Sequence, residues 1–349
     1  MYQTRLFWQM FWQNLLAYAL ASAIAGILIT QVSTPEPIAR DDVRGAMSGG
    51  VIALIIVSLE TFAFQRGPIA QAPFLVHLTV RTLSYVAVII AALVLTFWLL
   101  PSPHVDAALI VRSGLLPSMI VSFGFNVFAA VNRLLGPGVL LEFVAGRYHR
   151  PRREDRVLLF IDLADSTRSA AALGETAFLT FLNRFIGPVT TAIASQGGEI
   201  HKYMGDEVIA SWKLGAGVKG ARCIRACFDA IDRLARQGAE FERDFGRHPR
   251  FRAALHCGPV VLGELGAIKL EIALIGETMN ATARIEEACR DTGHDVLASA
   301  ALIDRIADWP AGISKRSLGP VMLRGRAAEL ELFALTREPQ SPTAMRNAG

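Results

Sequence analysis

Two aspartates in different local settings carry the chemistry open to this chain. Asp162 closes the apolar run Arg156-Val-Leu-Leu-Phe-Ile-Asp162, just before Ser166-Thr167. Asp206 lies in Lys202-Tyr-Met-Gly-Asp206-Glu207-Val-Ile-Ala, a turn between two short β-like runs. A carboxylate at the end of a buried strand and another at a hairpin tip can converge on a pair of divalent cations. Mg2+ suits such a site, because it takes few carboxylates and keeps positions open for phosphate oxygens. The expectation is metal-assisted phosphate chemistry in a chain attached to a membrane.

The elements that must position these groups follow from the hydrophobic periodicity after Arg156. It predicts a strand over 157–162, a helix over 168–194 and a hairpin over 199–204 and 207–212. A helix over 219–245, a strand over 250–257 and a β-rich stretch over 260–265 and 270–275 come next. A helix over 279–290 and short elements to Leu335 complete the reading. Strand, helix, hairpin, helix, strand is the order of an α+β, ferredoxin-like split βαβ sheet. Gly197-Gly198 makes the turn into the hairpin.

Composition divides the chain in two. At 349 residues it exceeds one typical domain. A hydrophobic fraction of 52% and a mean hydropathy of +0.37 are too apolar for an ordinary soluble enzyme. The excess lies before Arg147. The net charge of +4 comes with no long basic stripe, so nucleic acid is not an expected partner. Cys223, Cys227, Cys257 and Cys289 form no zinc pattern with a nearby His, and read as reduced core residues.

Four stretches reach the roughly 20 residues a helix needs to cross a hydrocarbon core. They are 11–32, 45–64, 76–100 and 107–131, separated by Pro35 and Pro37, Pro68 and Pro73, and Pro101 and Pro103. The expected architecture is a four-helix transmembrane domain over 1–132, a juxtamembrane linker or helix over 133–155, a catalytic domain over 156–336 and a disordered tail over 337–349. Arg5, Arg66, Arg133 and the cluster from Arg147 place both ends of the membrane domain in the cytosol. Arg40 and Arg44 run against that orientation, accompanied by Glu36, Asp41 and Asp42. The expected location is therefore the inner cell membrane, multi-pass, with the polar half cytoplasmic. Glu60 and Arg81 fall at matching depth and can pair, as an ion pair or as part of a site for a membrane ligand.

Several separated motifs, in order, resemble the class III nucleotidyl cyclases over roughly Arg156 to Leu335. They are Phe160-Ile-Asp162-Leu163 with Ser166-Thr167, Lys202 with Gly205-Asp206 and Ala210, and Leu255-His-Cys-Gly258-Pro-Val-Val. Ile275-Gly276-Glu277-Thr-Met-Asn280-Ala-Thr-Ala-Arg284 and Leu323-Arg324-Gly325-Arg326 follow. The resemblance implies attack of a ribose 3′-hydroxyl on the α-phosphorus, with pyrophosphate leaving. Asp162 and Asp206, with the backbone carbonyl of Leu163, would hold two Mg2+ or Mn2+ ions per active site. The turn Asp165-Ser166-Thr167 would hold the terminal phosphates at a helix N-terminus, and Arg324 is a further phosphate candidate. Asn280 and Arg284, four residues apart on one helix face, would orient the ribose and stabilise the transition state. Lys202 would contact the purine.

Three positions depart from the family pattern. Ala273 stands where the purine-selecting partner of Lys202 is usually Asp or Thr, Glu277 where Asp is usual, and Asp165 where glycine is common. The resemblance further implies a homodimer whose sites take their metal aspartates from one protomer and their Asn/Arg pair from the other. Lys202, with no acidic residue at 273, favours ATP. The expected function is thus a membrane-bound adenylate cyclase in second-messenger signalling. The alternatives are a guanylate cyclase, or a non-catalytic cyclase-like regulatory module.

Overall fold

The computed structural model describes residues 39–60, 74–101, 149–268, 270–322 and 329–338, with isolated positions between 15 and 31 and between 119 and 147. The chain divides into two compact units, Met1–Leu135 and Gly136–Gly349.

The first unit contains α1 (Ala39–Leu59) and α2 (Phe74–Leu99). Their apolar windows, Asp41–Leu59 and Leu78–Leu99, have mean hydropathies of 1.6 and 2.3 and are long enough to cross a bilayer. They match the expected second and third spans. Helix α1 begins ahead of residue 45 because Asp41 and Asp42 in its first turn complement the helix dipole. Of the expected span 11–32, positions 15, 16, 19, 20, 22–28, 30 and 31 are described and helical, whereas the expected span 107–131 lies mostly outside the described residues.

Small residues let α1 approach that segment closely. A Cβ on Gly45 would stand 2.4 Å from the Gly26 carbonyl oxygen, and one on Gly49 would stand 2.1 Å from that of Ser22. Such small-xxx-small spacing is how helices pack where no hydrophobic force separates protein from lipid. The pairing expected of Glu60 and Arg81 is present: Arg81 Nη2 donates to Glu60 Oε2 at 2.7 Å, and Tyr85 donates to the same oxygen at 2.5 Å.

The second unit is built on β1 (Arg152–Leu163), α3 (Ser166–Leu173), α4 (Glu175–Ser195), β2 (Glu199–Met204) and β3 (Glu207–Lys213). There follow α5 (Leu214–Val218), α6 (Arg222–Arg236), α7 (Gly238–Phe245), β4 (Phe251–Leu265), β5 (Glu271–Ile275) and α8 (Glu277–Thr292). The unit ends with β6 (Val296–Ser299), α9 (Ala300–Ile303), β7 (Ile313–Val321) and β8 (Leu330–Arg337). The sheet order is β2-β3-β1-β4-β6-β8-β7, with β5 paired to β4. Its first four strands run antiparallel in the expected split βαβ order.

The apolar run of β1 is continuous because helices cover both faces of the sheet. Val157, Leu159, Ile161 and Leu163 pack with Phe185 and Ile193 of α4 and with Ile224 and Cys227 of α6. Leu158 and Phe160 pack on the other face with Ile285, Ala288 and Cys289 of α8. The four cysteines are free and buried; burial drives the Cys223 thiol up to about 12, so these groups stay protonated core residues. Helix α4 also meets the length and hydropathy criterion for a membrane span, but Phe181, Leu182, Phe185 and Ile193 are buried in the sheet core. It is a core helix.

Several expected boundaries move. The helix expected over 168–194 is two, broken at Gly174 with φ of 79°. The segment expected as one helix over 219–245 breaks after Ala221 and near Gln237. The separate strands 250–257 and 260–265 are one long strand, β4, bent back by the hairpin to β5. Residues 152–155, expected in the linker, already pair with β4. Arg337, expected in the tail, pairs with Ile313 in β8, and 339–349 lie outside the described residues.

Candidate active site

The site grows from the middle of the sheet. Asp162 pairs in register with Glu207 of β3 on one side and with Arg252 of β4 on the other. The β2–β3 turn is Gly205-Asp206, with Gly205 at φ of 65°. Glycine at the first position of a two-residue hairpin supplies the primed turn that matches strand twist. Because Glu207 pairs with Asp162, that turn sets Asp206 beside Asp162, near enough for its charge to act on the Asp162 carboxyl. Leu163 is the last residue of β1, and its side chain is buried in the core, so its backbone alone faces the site.

The electrostatics are dominated by crowded negative charge. Burial pushes the Asp162 carboxyl up, and the charge of Asp206 adds to it, while the Arg290 guanidinium opposes. Glu207 is pushed up to about 7, first by burial and then by Asp162 and Asp206. Glu286 of α8 is also pushed up to about 7, by burial and by Asp162, with Arg290 opposing. Arg290 Nη2 bonds Asp162 Oδ2 at 3.1 Å, and Arg252 Nη1 stands 4.0 Å from the same oxygen. Two guanidinium groups do not satisfy the cluster: Glu286 Oε1 is buried with no hydrogen-bond partner.

Oxygen donors crowded in this way fit a hard divalent cation. Among the described residues no three His, Cys, Asp or Glu side chains are placed to hold one ion together. The site offers the Asp162 and Asp206 carboxylates, and Mg2+ is commonly held by one or two carboxylates plus water and substrate phosphate.

Beside the pair, the chain turns into α3 through Asp165, which sits in the left-handed region at φ of 57° and makes no side-chain cap. The first helical bond is Ser169 N–H to the Asp165 carbonyl at 2.9 Å. The N–H groups of Ser166 and Thr167 therefore point out of the helix start, where an anion is favoured.

The remaining expected residues are distributed unevenly. Lys202, on β2, donates to Glu271 Oε2 of β5 at 3.1 Å. Ala273 stands two positions further along β5, opposite Gly263, and so lies on the same strand face as Glu271. Asn280 is exposed on α8, and Arg284 is tied to Glu287 at 2.7 and 2.8 Å. Within one chain, then, α8 turns Glu286 and Arg290 toward Asp162, not Asn280 and Arg284. Arg324 lies outside the described residues.

Sequence reasoning missed Glu207, Arg252, Glu271, Glu286 and Arg290. The Glu286/Arg290 spacing of four was a visible signal for one helix face, but nothing local told which face met the sheet.

Residues 149–337 match the family described as the adenylate and guanylate cyclase catalytic domain. "Adenylate cyclase 2" of Rhizobium meliloti (strain 1021) is 37% identical over 206 residues, covering 59% of this chain and 56% of that protein. "Adenylate cyclase 1" of the same organism is 26% identical over 185 residues, covering 52% of this chain and 27% of that protein. The chain thus spans little more than half the length of the first relative and about a quarter of the second. The structure of a bacterial light-regulated adenylyl cyclase superposes with a TM-score of 0.54 at 20% identity, covering 66% of this chain and 67% of that one. That likeness is one of fold.

Proposed function

This chain belongs to the class III adenylate/guanylate cyclase family, and on that premise we propose that it is a membrane-anchored adenylate cyclase making 3′,5′-cyclic AMP and pyrophosphate from ATP. The observation that carries the reading is the strand register that sets Asp206, next to Glu207, beside Asp162, near a buried, unpartnered Glu286 oxygen. A cluster so negative is relieved by cations among it. Asp162, Asp206 and the Leu163 carbonyl would hold Mg2+ or Mn2+, which would supply charge neutralisation and a more acidic ribose hydroxyl. The protein's own part is placement. The N–H groups of Ser166 and Thr167 hold the outer phosphates, so that the α-phosphorus lies in line between the 3′-oxygen and the departing pyrophosphate. The bond from the 3′-oxygen to the α-phosphorus forms as the bond from the α-phosphorus to the bridging oxygen breaks, and the hydroxyl proton passes to water.

Asn280 and Arg284 do not meet the metal carboxylates of their own chain, so a second copy is needed to bring them to the site. Exposed Tyr203, Met204, Leu265, Leu270 and Ile275, from the two hairpins, give that copy an apolar surface to cover. A homodimer with two equivalent shared sites follows. Helices α1 and α2, with the Lys/Arg bias of the loops, support a multi-pass protein of the inner membrane with its catalytic unit cytoplasmic.

Base choice has a specific second reading. Ala273 offers no hydrogen bond, which leaves GTP open, whereas Glu271 beside Lys202 supplies an acceptor that suits the adenine amino group. Full-length protein in detergent, given Mn2+ with ATP or GTP, tests both. Cyclic AMP is the expected product, with turnover abolished in Asp162→Ala and in Asp206→Ala while the far-ultraviolet circular dichroism stays unchanged. Cyclic GMP as the main product sinks the adenylate assignment; retained turnover in either variant sinks the metal assignment.

A further inference from the structure

Glu286 lies in mid-helix on α8 with 7% of its surface exposed. Its carboxylate and that of Asp162 face the same Arg290 Nη2, at 3.9 and 3.1 Å. Its Oε1 stands 3.9 Å from the Arg290 guanidinium, too far for a hydrogen bond, and has no other partner. A buried carboxylate oxygen left without a donor, in the field of the Asp162 and Glu207 carboxylates, is a costly arrangement until a proton or a cation arrives. Arg290 cannot supply all of it, because its Nη2 is committed to Asp162 at 3.1 Å.

We infer that Glu286 is a positioning residue of the metal site, a third carboxylate that acts on Asp162 across the Arg290 guanidinium that both face and raises the affinity of the Asp162/Asp206 pair for divalent cations. The inference rests on the metal reading given above and goes beyond it in residue and role. Groups behind a metal ligand fix its orientation and strengthen its basicity. The arrangement also gives α8 two duties. The pair Glu286/Arg290 serves the metal carboxylates of its own chain, while Asn280/Arg284 point to a different side of the same helix. The two pairs are offset by six residues, about 240° around the axis.

The test is Mn2+ binding by the full-length protein in detergent, read as free Mn2+ by electron paramagnetic resonance, alongside thermal midpoints in EDTA. Glu286→Gln keeps the shape and removes the charge. Its expected effect is a roughly 10-fold weaker Mn2+ affinity together with a higher midpoint in EDTA, because a buried unpaired carboxylate has gone. Glu286→Asp should recover part of the affinity. A purely structural Glu286 gives the opposite pattern, a lower midpoint with Mn2+ affinity unchanged, and that result overturns the inference while leaving the metal site standing. Absence of Mn2+ binding by the unaltered protein overturns the metal reading and this inference with it.

Discussion

At the scale of single residues, the phosphate turn shows how one side chain sets both backbone and charge. Asp165 adopts φ of 57° without capping α3, a conformation that costs an L-residue roughly 1 kcal/mol where glycine pays nothing. It also places a carboxylate beside N–H groups suited to phosphate. Asp165→Gly should therefore lower KM for ATP several-fold with no loss of thermal stability, measured by initial rates across ATP concentration and by melting. An unchanged KM would show that Asp165 faces away from the triphosphate. Residues of this kind were legible, because Asp162, Asp206 and Asp165 owe their places to local devices: a strand end, a glycine hairpin and a helix start. Glu286 and Arg290 were not, because their role depends on which face of α8 meets a sheet built from distant sequence. Glu271 was hidden for the same reason. It acquires meaning only when β5 folds back along β4 and reaches Lys202.

At the scale of elements, the far end of β1 from the site is held by a buried polar network that ties three strands together. Arg156, fully buried, donates to Glu199 of β2 at 2.5 Å, to Ser211 of β3 at 2.8 Å and to Glu154 at 3.1 and 3.2 Å. His201 Nε2 lies 2.7 Å from the same Ser211 hydroxyl. Burial pushes the His201 ring down to about 3, and the neighbouring Arg156 charge adds to it. Unfolded, the ring takes a proton near pH 6.5. Between these values the unfolded chain binds more protons, so stability is fully present above about pH 6.5 and falls as the pH drops toward 3. The ring is partly open to solvent, which limits the loss to roughly 1–3 kcal/mol, below the full shift. Urea midpoints measured at pH 7 and pH 4.5 should fall further for the unaltered protein than for His201→Asn, which keeps a hydrogen bond to Ser211 but cannot titrate. Equal falls would assign the acid sensitivity to other groups. The two strands that carry this network were readable as short β-like runs flanking the Gly205-Asp206 turn. The extension of β1 back to Arg152 was not, because Arg152 and Arg153 are charged and pair with β4 through their backbone alone.

At the scale of the whole molecule, the division into an apolar front and a catalytic back was plain from hydropathy, and α1 and α2 fall where it put them. The order of the first four strands followed from the sequence of elements, because short hairpins and crossovers leave few alternatives, whereas the placing of β6, β8 and β7 did not. What one chain's own contacts cannot carry is the pairing of two copies that the proposed function calls for. Asp162 and Asp206 lie beside each other, whereas Arg284 is engaged by Glu287 on its own helix. If sites are shared, a protomer lacking Asp162 still offers Arg284 to its partner, and a protomer lacking Arg284 still offers its aspartates. Asp162→Ala and Arg284→Ala proteins should each be inactive alone. Co-expressed in equal amounts they form mixed dimers with one intact site in two, so about a quarter of the normal cyclic AMP rate returns if pairing is random. Differently tagged chains, purified through both tags in turn, isolate the mixed dimer, where the expected recovery rises to about half. Verified mixed dimers with no activity would mean that each chain completes its own site, and that Arg284 must leave Glu287 and move to Asp162 within one protomer.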